Sequence, residues 1–221
     1  QISRGYSPTA AGLLTVPMVG GMLLSSTGSG ILITRTGRWK RYLTTGSLLT
    51  VLAFGLLSSI DHETNIVLLC SFLFLLGVGI GMTMQNLVLA VQNTVAARDL
   101  GAASSAVAFF RSLGGTVGVS VLGAVLSTRV GDLIEADLAD VPGAASAAGS
   151  GDIGLENLAD APPVIQELIR AAYGDATGRI FLISAVVAVV AVVTIYFIRE
   201  IALGTESGEE RLQRERADAE G

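Results

Sequence analysis

The amino-acid sequence predicts an all-α, polytopic membrane protein with five transmembrane helices. Mean hydropathy is +0.63, and charged residues make up only 15% of the 221 residues, against about 25% in soluble globular proteins. Five apolar runs approach or exceed the roughly 20 residues that cross a bilayer, and none contains an acidic residue. The runs are residues 11–33, 42–60, 66–91, 102–127 and 180–198. Such long acid-free runs disfavour the alternative of buried helices in a large soluble protein.

Charge and cysteine content restrict the range of partners. The formal net charge is −5, so the chain lacks the basic footprint of a nucleic-acid-binding protein, and no nucleic-acid partner is expected. Cys70 is the only cysteine, which excludes a disulfide framework within the chain. The sequence begins with Gln1 and a loop-like segment, from which we expect a fragment of a longer protein. Residues 1–200 are expected to form its transmembrane bundle and residues 201–221 a charged tail.

The distribution of basic residues predicts the orientation of the chain in the plasma membrane. Nine bases lie at one end of the predicted bundle: Arg35, Arg38, Lys40, Arg41, Arg98, Arg199, Arg211, Arg214 and Arg216. Four lie at the other end: Arg4, Arg129, Arg170 and Arg179. Because basic loops stay in the cytoplasm, we expect the first residue outside the cell and the tail inside it.

The segment 130–178 is predicted to be an acidic external loop. It contains nine acidic residues and a low-complexity stretch at 143–151, which favours a mobile linker. Pro163 is suited to open a short amphipathic helix that extends to Tyr173. A solvated cap at the membrane surface is the simpler interpretation of this loop, and a substrate gate is the alternative.

Arg111 is the one charged residue inside a predicted span. If the helix starts at Ala102, Arg111 lies roughly 13 Å into the membrane at 1.5 Å per residue. Three glycines, Gly114, Gly115 and Gly118, follow at spacings that place them on the same helix face, where small residues favour close helix packing. A charge at this depth suggests a functional site. The alternative is that the guanidinium extends to the membrane surface and is only structural.

A stripe of polar residues on the preceding span could form hydrogen bonds with Arg111. The stripe consists of Gln85, Asn86, Gln92 and Asn93, at i, i+1, i+7 and i+8, and Gln85 is expected at a depth similar to that of Arg111. We hypothesise that this stripe supplies hydrogen bonds to the guanidinium. On the same span, Gly77 and Gly81 are expected to be helix-packing positions.

A basic motif follows the first span. Gly30 permits a close helix neighbour, Gly37 permits a tight turn, and Arg35, Arg38 and Arg41 can contact helix ends, acids or lipid head groups. Spacing alone leaves open a generic cytoplasmic loop. The run resembles the loop signature of the major facilitator superfamily, G-x-x-x-D-R-x-G-R-[RK]-x-[RK], which implies a role in conformational switching. Thr34 replaces the acid of that signature and Trp39 replaces a base.

Further stretches sharpen the resemblance. Residues 5–17, 77–81 and 101–118 are similar to helices ten, twelve and thirteen of the 14-span drug:H+ antiporter (EmrB/QacA-type) family. The chain would then form spans ten to fourteen, the C-terminal part of a major facilitator fold, and its partner would be the missing N-terminal half of the same protein.

The resemblance implies a secondary active transporter that exports drugs or other small amphipathic molecules. No cofactor is expected, since a proton gradient would supply the energy. The coupling carboxylate is expected in the missing N-terminal half, because the five spans contain no acid. The sequence shows no catalytic constellation and no metal-ligand cluster, so an enzyme is disfavoured. A non-transporting helix-bundle subunit or sensor remains the alternative.

Overall fold

The structure is a computed structural model that describes residues 7–60, 64–139 and 163–200. Every regular element within these ranges is helical, which confirms the predicted all-α class. A 3-10 turn at Ala97–Asp99 precedes the fifth helix. The α-helices are α1 (Pro8–Leu13), α2 (Val16–Thr36), α3 (Lys40–Leu57), α4 (Ile66–Thr94), α5 (Leu100–Ala139) and α6 (Pro163–Phe197).

Local sequence explains where several helices begin and end. The Ser7 side chain accepts a hydrogen bond from the Ala10 amide at 3.3 Å, and Asn65 Oδ1 accepts one from the Val67 amide at 2.8 Å. Both are N-caps that satisfy a free amide of a first turn. Gly37 ends α2 with a φ of 67°, a left-handed conformation that glycine adopts without a Cβ penalty. The chain can therefore turn within three residues into α3.

Four of the helical segments are long and apolar enough to cross a membrane: Thr9–Thr36, Ile66–Thr94, Leu100–Ala136 and Gln166–Phe197. They cover four of the five predicted spans. The remaining one, residues 42–60, corresponds to α3, which does not belong to this group. α3 has 18 residues and begins with Lys40 and Arg41, so its length of about 27 Å falls slightly short of a hydrocarbon core of about 30 Å.

α4 is the central helix of the described bundle and packs against α2 on one side and α3 on the other. Its glycines permit this double contact. A methyl group on Gly77 would overlap the Met18 carbonyl oxygen of α2, and one on Gly81 would overlap the Met22 carbonyl oxygen. A methyl group on Gly79 would instead overlap the Thr50 side chain of α3. Residues 77 and 81 share one face, and residue 79 lies on the opposite face, so the alternating glycines bring two backbones close to α4.

Two clusters of buried apolar residues lie towards opposite ends of this helix assembly. One joins Ile33, Trp39, Leu43, Ala90 and Ile195 at what we call the basic end, the end that carries the Arg35–Arg41 turn. The other joins Ala53, Leu57 and Leu76 near the opposite end. Because Ile195 belongs to the first cluster, the end of α6 is anchored to the same core as the turn between α2 and α3.

The predicted external loop is replaced in part by helix. α5 continues to Ala139, and α6 begins at Pro163 and runs without interruption to Phe197. The separate amphipathic helix expected at 163–173 is therefore the first third of a helix about 52 Å long. Ile169, Ala172 and Ala176 of this extension are buried, and Arg129 of α5 pairs with Asp175 at 3.7 Å. Residues 140–162 and the predicted tail, 201–221, lie outside the described residues.

The close contact at Gly77 yields a stability prediction. Gly77→Ala should destabilise the protein, because the added methyl must push α2 away from α4, and overpacking of this kind costs about 1–3 kcal/mol. Gly55→Ala on α3 is the matched control, since no described atom lies within 4 Å of the added methyl and alanine favours a helix. The measurement is the temperature of half-denaturation of the purified protein in detergent. Equal midpoints for the two variants would contradict the packing described here.

Candidate functional site

A side-chain hydrogen bond links α4 to α5 near the basic end, and we call the space between the two helices beyond this bond the cleft. Gln92 of α4 donates a hydrogen bond from its Nε2 to Ser104 Oγ of α5 at 3.1 Å. This bond joins two antiparallel helices and sets their relative depth. Gln85 lies seven residues before Gln92, and Arg111 lies seven residues after Ser104. The two side chains are therefore at the same depth, about 10 Å from the bond at 1.5 Å per residue.

Gln85 and Arg111 are both exposed in the described structure. Seven residues are nearly two helical turns, so Gln85 lies on the face of α4 that carries Gln92, and Arg111 lies on the face of α5 that carries Ser104. No hydrogen bond or ion pair of Arg111 is formed within the described ranges. The structure therefore brings Gln85 and Arg111 to facing helices without joining them.

Three glycines share the face of α5 that carries Arg111. Gly114, Gly115 and Gly118 have no described neighbour within 4 Å of the position of a Cβ. In contrast, Gly77 and Gly81 lie in close contact with α2, and a Cβ atom at either position would overlap α2. The five glycines expected to pack helices thus fall into two groups, one in tight contact and one facing open space.

Asn86 does not belong to the cleft. It is fully buried, at 0% exposure, and lies on the face of α4 that Gly79 and Thr83 present to α3. Its Nδ2 donates to the Met82 carbonyl oxygen of its own helix, and its Oδ1 has no described partner. The hypothesised hydrogen bond from Asn86 to the Arg111 guanidinium is therefore not formed here, because one residue step turns a side chain about 100° around a helix.

The basic motif lies at the turn between α2 and α3. Gly37 donates its amide to the Ile33 carbonyl oxygen at 2.8 Å, while Arg35, Arg38 and Arg41 are exposed. Arg38 and Arg41 line a shallow cavity of about 350 Å³. Gly30 is half-buried, and no described atom lies within 4 Å of where its Cβ would be, so the expected close helix neighbour is not among the described residues.

Lys40 and Trp39 of this motif make contacts with the end of α6 that sequence analysis did not predict. The contacts of Lys40 are polar. Lys40 donates from Nζ to the Tyr196 carbonyl oxygen at 2.9 Å, and the ammonium lies 5.7 Å from the Tyr196 ring centroid. In return, the Lys40 amide donates to Glu200 Oε1 at 3.2 Å. The lysine thus satisfies a free carbonyl at the end of α6, and the glutamate caps the start of α3, where a negative charge is favoured.

Trp39 reinforces this link between α3 and α6. It is 1% exposed and packs in the cluster with Ile33, Leu43 and Ile195. An aromatic residue in place of a base within a charged loop was the available signal for burial. The contact with the end of α6, more than 150 residues later in the sequence, had no signal in the motif itself.

A second charged region lies at the opposite end of the bundle. Arg129 and Arg179 both line two neighbouring cavities of about 590 Å³ and 600 Å³. Asp175 borders the first cavity and Asp132 the second. The Arg129–Asp175 pair is largely exposed, so it adds little stability. Sequence analysis assigned these arginines only to a loop, because the continuity of α5 and α6 was not foreseen.

Comparison with known proteins supports a family assignment. The family model of the Major Facilitator Superfamily matches residues 1–119, a range that includes the basic motif, α4 and Arg111. The "uncharacterized MFS-type transporter Rv1877" of Mycobacterium tuberculosis (strain H37Rv) is 39% identical over 203 residues, which are 90% of this chain and 28% of that protein.

Two further relatives are named as transporters of drugs or as exporters. The multidrug transporter protein MdtP of Bacillus subtilis (strain 168) is 36% identical over 130 residues, covering 59% of this chain and 24% of that protein. The MFS-type efflux transporter ffsH of Aspergillus flavipes is 26% identical over 227 residues, covering 100% of this chain and 40% of that protein. The chain thus spans about a quarter to two fifths of the length of these relatives.

The family match covers more than half of the sequence, and the described residues form the long apolar helices that such a family requires. The chain belongs to the major facilitator superfamily, a family of membrane transporters and not of enzymes.

Proposed function

We propose that the chain is part of the C-terminal half of a secondary active transporter that exports drugs or other amphipathic small molecules by exchange for protons. The observation that carries this proposal is that Gln85 of α4 and Arg111 of α5 are both exposed polar side chains within long apolar helices. Polar groups in a membrane span are expensive unless they face protein or a water-filled path. The names of MdtP and ffsH, a multidrug and an efflux transporter, support the direction of transport.

The rest of the transporter would cover the open face of α5. The glycines on the Arg111 face of α5 have open space in front of them, and Phe109, Phe110 and Leu113 are exposed on other sides of this helix. In transporters of this kind the substrate binds near the midplane, between two repeated halves. We therefore place the substrate path along this face, with the other half of a 14-span protein as its second wall.

Proton coupling requires a group that binds and releases protons within the membrane. The apolar runs of this chain contain no acidic residue. The coupling carboxylate would accordingly lie in the other half, and Arg111 would serve the substrate path. The transporter would lie in the plasma membrane. Its basic end would face the cytoplasm, and the first residue of the chain would lie outside the cell.

The transport proposal is tested with the complete transporter in everted membrane vesicles. Vesicles that contain the protein should take up a fluorescent amphipathic dye when a proton gradient is imposed, and a proton uncoupler should abolish the uptake. Vesicles from cells without the protein provide the baseline. Uptake that requires ATP hydrolysis and survives the uncoupler would contradict proton coupling, whereas no uptake of any amphipathic probe would contradict transport itself.

The reciprocal caps between α3 and α6 predict a kinetic effect at the basic end. Lys40→Met removes the hydrogen bond to the Tyr196 carbonyl and the contact with its ring, so α6 should lose its tie to the basic motif. If this tie aligns the helices during the conformational change, the maximal transport rate should fall several-fold while the half-saturating substrate concentration stays unchanged.

Arg98→Gln is the matched control for Lys40→Met. Arg98 lies at the same end, is highly exposed, and pairs only with its neighbour Asp99 at 3.6 Å among the described salt bridges. Its loss should leave both kinetic parameters unchanged. Equal effects of the two substitutions would mean that general loss of positive charge, and not the link to α6, determines the rate.

A further inference from the structure

A groove between α5 and α6 lies at the end of the bundle opposite the basic end. It contains a cavity of about 600 Å³ that is lined by residues of these two helices, a volume typical of small-molecule sites. Three charged side chains line it together with apolar ones: Arg129 and Asp132 of α5 and Arg179 of α6. We call this cavity the α5–α6 groove.

The charged part of the groove lies where the two helices leave the hydrocarbon core. The apolar run 180–198 of α6 contains no charged residue, and its length of about 28 Å is close to the roughly 30 Å of that core. Arg179 immediately precedes this run and therefore lies at the level of the lipid head groups. Arg129 lies near the same level, because it pairs with Asp175, one helical turn from Arg179.

The lining of the groove changes from charged to apolar towards the middle of the membrane. Val125 lies one turn below Arg129 on α5, and Ile183 lies one turn below Arg179 on α6. Both apolar side chains line the same cavity as the arginines. The groove thus continues from the head-group level into the hydrocarbon level. A phospholipid can fill both parts, whereas a small polar ligand would leave the apolar part empty.

The charges in the groove have both signs and are only partly paired. Arg129 pairs with Asp175 at 3.7 Å. The side chains of Arg179 and Asp132 are exposed and form no ion pair or hydrogen bond within the ranges that the structure describes. A cation and an anion that line one cavity without neutralising each other favour a ligand that carries both signs.

The order of these charges along the membrane normal matches one class of lipid head group. A guanidinium binds the oxygens of a phosphate, and a carboxylate accepts hydrogen bonds from an ammonium. Asp132 lies about 4.5 Å further from the membrane centre than Arg129, at 1.5 Å per residue. In phosphatidylethanolamine the ammonium likewise lies further from the membrane centre than the phosphate.

We propose that the α5–α6 groove binds a phospholipid whose head group carries a primary ammonium, as in phosphatidylethanolamine. Arg179 and Arg129 hold the phosphodiester, Asp132 holds the ammonium, and an acyl chain lies along Val125 and Ile183. This site requires only that the two helices span a membrane, and it does not depend on what the protein transports.

The test measures lipid binding to the complete transporter in detergent by native mass spectrometry. Three lipids with identical acyl chains are titrated: phosphatidylethanolamine, phosphatidylcholine and phosphatidylglycerol. Wild type should bind phosphatidylethanolamine with the lowest dissociation constant, because the methylated ammonium of choline donates no N–H hydrogen bond and glycerol carries no positive charge. Equal dissociation constants for the three lipids would overturn the proposal.

Substitutions in the groove should separate its two charges. Arg179→Gln should raise the dissociation constants of all three lipids about tenfold or more, as expected from loss of a charged hydrogen bond. Asp132→Asn should weaken the binding of phosphatidylethanolamine and not that of phosphatidylglycerol. The controls are Arg98→Gln at the basic end and Glu135→Gln on α5, two exposed residues that line neither cavity of the charged region. Equal losses in Arg179→Gln and in the controls would mean that general surface charge holds the lipid, and the proposal would be wrong.

Asp132→Lys keeps the test decisive if another variant misfolds. The reversed charge should make phosphatidylglycerol bind more tightly than phosphatidylethanolamine, a new preference that a misfolded protein does not acquire. An unchanged preference would contradict the contact between Asp132 and the ammonium.

A head group without acyl chains distinguishes a lipid from a soluble phosphate ester. Glycerophosphoethanolamine should displace phosphatidylethanolamine only at concentrations about a hundredfold higher, because each buried methylene of an acyl chain adds to the affinity. Displacement at equal concentrations would show that the groove recognises a soluble phosphate ester and would overturn the assignment of a lipid.

Discussion

The close approach of three helix backbones through glycine is the constraint on which the rest of the structure depends. Lipid tails are as apolar as leucine side chains, so transmembrane helices gain little from burying apolar surface against each other and associate mainly through close packing. Gly77 and Gly81 bring α2 against one face of α4, and Gly46 and Gly79 bring α3 against the other. The resulting three-helix unit holds its shape without an ionic core, and α6 joins it at both ends.

This unit defines the candidate site by what it leaves uncovered. Gln85 and Gln92 follow Gly81 at i+4 and i+11, so they continue the face of α4 that packs on α2 at its glycines. Beyond that contact Gln85 is exposed, and Gln92 forms a hydrogen bond with α5. α5 is attached near the basic end by the bond between Gln92 and Ser104 and near the opposite end through α6. The middle of α5, where Arg111 and its glycines lie, has open space in front of it. The described structure thus combines a tightly packed three-helix unit with a lightly attached helix that carries Arg111.

Sequence analysis predicted the all-α class and four of the spans well, because a long apolar run determines a membrane helix almost by itself. It misjudged the start of α6, since residues 163–179 are too polar for a span but contain no proline after Pro163, and the helix continues through Gly174 and Gly178. α3 shows the opposite effect, as packing against α4 and α6 allows a short helix with two bases in its first turn.

The position of a site residue was predictable only where residue spacing along a helix determines it. The depth of Arg111 relative to Gln85 followed from counting residues along two helices, and the bond between Gln92 and Ser104 is compatible with that count. The separation of Asn86 from Gln85 was not foreseen, because it depends on how α4 is rotated between two neighbours. The link from Lys40 to Tyr196 and Glu200 joins distant parts of the sequence, and no local pattern encodes such a contact.

The most direct measurement of the central claim is the access of water to the cleft. The complete transporter is prepared in a Cys70→Ser background with one added cysteine at a time: Gln85→Cys, Gly115→Cys or Val190→Cys. Each variant is treated with a charged, membrane-impermeant thiol reagent. Val190 is an exposed apolar residue of α6, and a cysteine there should be shielded by lipid. The account predicts rapid labelling at positions 85 and 115 and none at 190. Labelling at 85 and 115 as slow as at 190 would contradict a water-accessible cleft between α4 and α5.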